Sequence, residues 1–180
     1  MGSAFLFDGG NAMYIRLARI EDAKRLAEIR LQIDGETENM DRERGEDSLD
    51  EAAFQEIIKI DTTSVNNLFL VAEIAGELVG FSRCEGTNLQ RSKHKVIFGI
   101  AVVKDHWGKG IGPELLRKSI HWADRNSIRK ITLTVLETNR KAIEMYTKFG
   151  FEIEGRLKAD KKLADGNYYD TYVMSRNKKQ

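Results

Sequence analysis

Apolar and polar residues alternate along this chain in blocks whose period changes. Met13 to Leu17 alternates weakly and predicts a first strand. Between Ile20 and Ile33, apolar residues at Ala23, Leu26, Ala27, Ile29, Leu31 and Ile33 stand among charges, the spacing of an amphipathic helix. Ser48 with Glu51 three residues on has the form of a capping box and predicts a second helix to about Ile60. Leu68 to Ile74 and Glu77 to Arg83 read as strands joined at Ala75-Gly76, a hairpin signal. Thr87 to Lys95 is polar and basic, a loop. Val96 to Val103 is a β-branched apolar run, which predicts a buried strand. Leu115, Leu116, Ser119, Ile120 and Ala123 restore helical spacing, to about Asn126.

Lys130 to Val135 alternates as a strand, and Asn139 to Phe149 reads as a short helix stopped by Gly150. Phe151 to Leu157 and Tyr168 to Met174 are two further strands, with Asp165-Gly166 marking the turn between them. The predicted order is β-α-α-β-β-β-α-β-α-β-β. Hairpins that precede one β-α-β crossover give a mixed sheet in a domain of α/β (α+β) class. Residues 1–12 read as an expression leader or a loose arm, residues 13–176 as one domain, and residues 177–180 as a frayed tail.

Composition narrows the choice. A chain of 180 residues, 41% hydrophobic and 32% charged, is long enough for a sizeable core and fits a soluble globular domain. A net charge of +1 gives no electrostatic argument for nucleic acid or an anionic membrane, and the loop cations Arg91, Lys93 and Lys95 lack aromatic neighbours. No apolar run approaches the roughly 18 residues of a membrane span. The single cysteine, Cys84, excludes an internal disulfide framework and fits a reducing, cytoplasmic setting; it reads as a core residue. Exposed strand edges pair readily, which leaves a homodimer open.

One stretch is acidic: seven carboxylates against two arginines between Asp34 and Asp47. It reads as a solvated loop, with a rim that attracts a cationic acceptor as the sharper alternative. His94, His106 and His121 have neither the spacing nor the carboxylate partners of a triad or a metal site.

The densest signal follows the predicted central strand. Gly108, Gly110 and Gly112 fall within five residues, and Pro113, the chain's one proline, stands where the next helix begins. Strand, glycine loop and helix N-terminus together favour an anion, because the first helical turn carries unpaired N–H groups and glycines let a ligand approach the backbone. No Gly-Lys-Ser/Thr closes the loop and the G-x-G-x-x-G spacing is absent, so it is neither a P-loop nor a dinucleotide fingerprint. A ligand-free tight turn remains the alternative.

The stretch Trp107-Gly-Lys-Gly110-Ile-Gly112 resembles motif A of the GNAT family of N-acetyltransferases, Arg/Gln-x-x-Gly-x-Gly/Ala, with Trp107 in place of the usual Arg or Gln. Asn139-Arg-Lys-Ala142-Ile-Glu-Met-Tyr146-Thr-Lys-Phe-Gly150-Phe151 resembles the family's motif B at every fixed position. The resemblance implies a GNAT fold and acetyl-CoA as co-substrate. It implies that main-chain groups of Trp107, Gly108, Lys109, Gly110, Ile111, Gly112 and Pro113 hold the pyrophosphate, and that those of Ile100, Ala101 and Val102 hold the pantetheine. It implies that Asn139 bonds the cofactor near its pantetheine arm and that Tyr146 protonates the leaving thiolate. From spacing alone, Asn139 is a helix cap and Tyr146 a core ring.

The implied reaction is direct attack of a primary amine on the thioester. An amine with a pKa of about 10.4 is mostly protonated at neutral pH, so a proton must leave before attack. Enzymes that acetylate ribosomal-protein N-termini resemble this chain, but typically carry Glu where Thr134 stands here, and Glu is also frequent just before Phe-Gly in the central strand, where Ile97 stands. Glu73 and Glu85 are weak candidates for a water-relayed base, and none is assigned. A small amine, a protein N-terminus and a non-catalytic acyl-CoA-binding module all remain open.

Overall fold

The computed structural model describes residues 3–6 and 12–178. Its elements are β1 (Ser3–Leu6), β2 (Ala12–Leu17), α1 (Ala23–Glu36), α2 (Glu51–Thr63), β3 (Leu68–Ile74), β4 (Glu77–Gly86), β5 (Lys95–Val102), α3 (Ile111–Arg125), β6 (Lys130–Leu136), α4 (Arg140–Lys148), β7 (Glu152–Lys162) and β8 (Tyr168–Asn177). The eight strands form one sheet in the order β1-β2-β3-β4-β5-β6-β8-β7. Each pairing is antiparallel except β5 with β6. The mixed, mostly antiparallel sheet expected from the sequence is present.

Each face of the sheet has its own core. Strand residues alternate between faces. Val96 and Phe98 of β5 face a cluster with Leu115, Leu116, Tyr146 and Phe151, under α3 and α4. Ala101, with Phe69 and Val71 of β3, faces Leu26, Ile29, Phe54 and Ile58, under α1 and α2. The β3–β4 hairpin turns at Ala75 and Gly76, whose φ values of 51° and 83° are those of a turn that matches strand twist. In the first of these cores, Cys84 is fully buried and Ser119 Oγ donates to Leu115 O at 2.8 Å.

One expectation is corrected. The cap of α2 is Asp50, whose carboxylate accepts from Ala53 N–H at 2.8 Å, and Ser48 lies outside the helix. Asp50 wins because it sits immediately before the first helical residue, where an acceptor reaches the free N–H groups. Within the stretch read as a leader or arm, Ser3–Leu6 pairs antiparallel with β2; residues 1–2 and 7–11 lie outside the described residues. Of the stretch read as a tail, Asn177 ends β8 and Lys178 is described, while residues 179–180 lie outside the described residues. Arg176 belongs to β8 and grips Asp124 with two bonds of 2.9 and 3.0 Å, and Lys178 N–H donates to Arg129 O at 2.8 Å.

Helix α2 is fixed to the sheet by Asp61. Its side chain is 1% exposed and accepts from Arg83 Nε at 2.6 Å, Arg83 Nη2 at 3.0 Å and Asn67 Nδ2 at 2.8 Å. Removing one member of a buried pair strands the other charge. Asp61→Ala is therefore expected to cost about 3 kcal/mol of unfolding free energy, read from urea midpoints; a loss under about 1 kcal/mol would show the pair to be dispensable.

Candidate active site

The site begins where β5 and β6 part. Their parallel ladder holds only Lys95–Ile97 against Lys130–Thr132, whereas β5 stays paired with β4 through Val102. Val103 N–H donates to Val79 O at 2.9 Å. By alternation, Ala101 turns its main-chain groups to β4, and Ile100 and Val102 turn theirs into the opening. Of the three residues expected to hold a pantetheine, Ile100 turns its N–H and carbonyl and Val102 its N–H to the opening, the Val102 carbonyl being taken by Trp107, and Ala101 is committed to its neighbour Phe81.

The loop after β5 is held at several points. Trp107 Nε1 donates to Val102 O at 2.7 Å, and Trp107 N–H donates to Lys104 O at 3.0 Å. Lys104 N–H in turn donates to Glu36 Oε2 at 2.8 Å, which ties the loop to the end of α1. Gly108 and Gly110 have φ values of 76° and 79°, in the left-handed region that favours glycine. Gly110 caps α3, and a Cβ built at either glycine meets no atom within 4 Å, so the space before them is open. Ile111 and Gly112 contribute first-turn N–H groups; Pro113 has none and sets only the backbone direction. Lys104 and Lys109 are exposed beside the loop. His106 is held below its ordinary pKa by burial and by Lys109, and its Nδ1 is enclosed without a partner.

Across the opening stands α4. Asn139 caps it, accepting from Ala142 N–H at a long 3.4 Å. Tyr146 is 5% exposed; its ring lies edge-on to Phe98 at 6.4 Å and tilted to Phe151 at 5.6 Å. Burial pushes its phenol well above the usual tyrosine range. A Cβ built at Gly112 would lie 3.7 Å from Ile100 Cδ1 and from Met145 Sδ, and Tyr146 packs on Phe98, so the start of α3, β5 and α4 adjoin one another. The structural roles read from spacing for Asn139 and Tyr146 are present as well.

The other proposed chemistry is elsewhere or engaged. Glu73 is bound by Arg16 at 3.0–3.1 Å, and Glu85 by Arg83 at 3.2 Å. Much of the acidic stretch is also occupied. Asp34 accepts from Arg42 at 3.1 and 3.2 Å, Asp41 pairs with Lys161, and Glu38 accepts from Ala164 N–H at 2.7 Å. The last two contacts join the loop after α1 to the β7–β8 hairpin. Sequence reasoning missed this closure, which links residues more than a hundred positions apart, and the indole bond of Trp107. Among the described residues, no cluster of His, Cys, Asp and Glu could hold a metal ion, and no helix is long and apolar enough to cross a membrane.

Comparison with known proteins identifies this arrangement. The family model for the acetyltransferase (GNAT) family matches residues 31–151. The chain belongs to this family of acyltransferases. An L-amino acid N-acetyltransferase of Escherichia coli (strain K12) is 40% identical over 111 residues, 61% of this chain and 67% of that protein. The crystal structure of a GNAT-family acetyltransferase from Streptococcus pneumoniae superposes with a TM-score of 0.88 at 27% identity, covering 92% of this chain and 99% of that one. A putative acetyltransferase from Salmonella typhimurium, solved with acetyl-CoA, shares the fold with a TM-score of 0.82 at 20% identity, over 93% and 95% of the two chains.

The buried phenol has a measurable consequence. An unfolded tyrosine ionises near pH 10. The folded Tyr146 holds its proton to higher pH, so between the two values the unfolded chain has lost a proton the folded chain keeps. Stability therefore falls as pH climbs above about 10. Tyr146→Phe is expected to flatten this alkaline loss in thermal unfolding followed from pH 9 to 11; an unchanged slope would mean that the phenol is solvated.

Proposed function

We propose that the protein moves the acetyl group of acetyl-CoA onto a small primary amine by direct attack within a ternary complex. The single observation that carries this reading is the unpaired edge of β5, which leads from the glycine loop toward Tyr146. The edge fits the cofactor's parts in sequence. First-turn amides of α3 and the amides of Gly108 to Gly110 face a diphosphate, aided by Lys104 and Lys109. The N–H and carbonyl of Ile100 and the N–H of Val102 meet the pantetheine amides as a neighbouring strand would. Asn139, whose cap bond is long, has an amide to spare for the same arm.

Held in this way, the thioester carbon stands before an amine in a confined space, which converts a bimolecular encounter into a local one. Nitrogen bonds to the carbonyl carbon, the C–S bond breaks, and the sulfur takes the Tyr146 proton. Burial that keeps Tyr146 protonated also disfavours a bare thiolate beside it, so the two raised proton affinities offset each other. The proton shed by the amine leaves through water, since Glu73 and Glu85 are occupied by arginines. The closed contact between the β7–β8 hairpin and the loop after α1 favours a small acceptor over a protein N-terminus. The Escherichia coli relative, named for L-amino acids, points in the same direction.

Two variants test the reading. Tyr146→Phe is expected to lower kcat for thiol release by about a hundredfold while acetyl-CoA affinity by calorimetry holds. Equal losses in both would assign Tyr146 to binding, and no thiol release from any amine in a broad panel would leave only an acyl-CoA-binding module. Trp107→Phe removes the indole donor that steadies Val102 and the loop. One hydrogen bond of about 1 kcal/mol corresponds to roughly a fivefold weaker Kd for acetyl-CoA, with kcat little changed.

A further inference from the structure

Most glycines near the site have a visible reason. Gly108 and Gly110 have left-handed backbones, and a Cβ at Gly80 would lie 2.9 Å from Ala101 O. Gly99 has no such reason. Its φ is not in the left-handed region, and a Cβ built there meets no heavy atom within 4 Å. Glycine weakens a strand interior, and a bare position there often marks the close approach of a ligand. Gly99 lies in an interior strand of the sheet and is nevertheless exposed.

Its surroundings give the chemistry. On the same face of β5, Ile97 is 67% exposed, an unusual state for a large apolar side chain in an interior strand. Across the opening, Thr134 is exposed on the matching face of β6. Beyond it, in register, come Val173 of β8 and Gly155 of β7. Toward β6 the row is methyl groups, a hydroxyl and bare backbone; toward β4 the one charged group in register with Gly99 is Arg83, whose guanidinium is taken by Asp61 and Glu85. The nearest carboxylate by register, Glu85 opposite Ile97, is paired with Arg83. The acidic loop that would attract a polycation has Asp34 and Asp41 committed to Arg42 and Lys161.

We propose that Gly99 is the floor of the acceptor pocket and selects a small amine with an uncharged, apolar side chain, which lies over the glycine between Ile97 and Thr134. This deepens the acetyl-transfer reading and rests on it for the identity of the reactive group. The missing Cβ leaves room for the acceptor, and Ile97 and Thr134 give it apolar contact on either side.

The test uses the full chain, labelled with nitrogen-15 and saturated with coenzyme A, titrated separately with isoamylamine, phenethylamine and spermidine. The Gly99 amide resonance is expected to move with the first two and to respond weakly to spermidine. Gly99→Val should weaken the apolar amines at least tenfold and leave the Kd for coenzyme A within about twofold. Gly99→Ala should do so to a smaller degree at an unchanged Tm, and it carries the comparison if the valine variant does not fold. The proposal is overturned if no amine binds, if amines bind without moving Gly99, if spermidine binds best, or if the folded variants bind amines like the parent. Binding at Gly99 without any thiol release would instead sink acetyl transfer and leave the pocket standing.

Discussion

An interior strand of a sheet normally finds hydrogen-bond partners on both sides along its whole length, because an unpaired main-chain group away from water is costly. β5 has partners on both sides only as far as Ile97. From there to Val102 one edge is served by β4 and the other opens into a crevice. Beside the opening, Phe98 packs against Tyr146 on one face of β5 and Ala101 lies within the α1–α2 core on the other. The remaining groups on the open edge call for a partner that supplies alternating donors and acceptors, and an amide-bearing arm is such a partner.

Side chains from distant parts of the chain keep this opening in shape. Trp107 closes the carbonyl of Val102 and Glu36 holds the amide of Lys104, so the loop is set before any ligand arrives. Preorganisation of this kind lowers the ordering cost of binding. On the opposite side, Asp41 and Glu38 reach the β7–β8 hairpin, and the acidic stretch is spent on internal contacts with Arg42, Lys161 and Ala164. A charge run that reads as a lure for cations acts largely as a set of ties.

Much of this was legible in the sequence because the motifs are local. Gly108 and Gly110 carry their conformational demand in their identity, and the run from Asn139 to Phe151 places a cap, a ring and a stop at fixed intervals. Local rules failed at the cap of α2, where Asp50, two residues after Ser48, is the acceptor that reaches the free amides. They failed again where the partner is remote. Arg176, at the end of the predicted domain, is anchored by Asp124, and Ser3–Leu6, within the stretch read as a leader or arm, adds an edge strand. The divergence of β5 from β6 has no signature in either strand alone, since it depends on what packs above and below both. Ile97 and Gly99 were visible only as members of an apolar run; their exposure became informative once the neighbouring strand was seen to turn away.

Cys84 has a practical bearing on studying this reaction. It lies fully enclosed, with its thiol pushed up to about 12 by burial, and thiol chemistry proceeds through the thiolate. The native protein is therefore silent toward disulfide reagents that colour with free sulfhydryls, and a chromogenic readout of released coenzyme A carries no background from the catalyst itself.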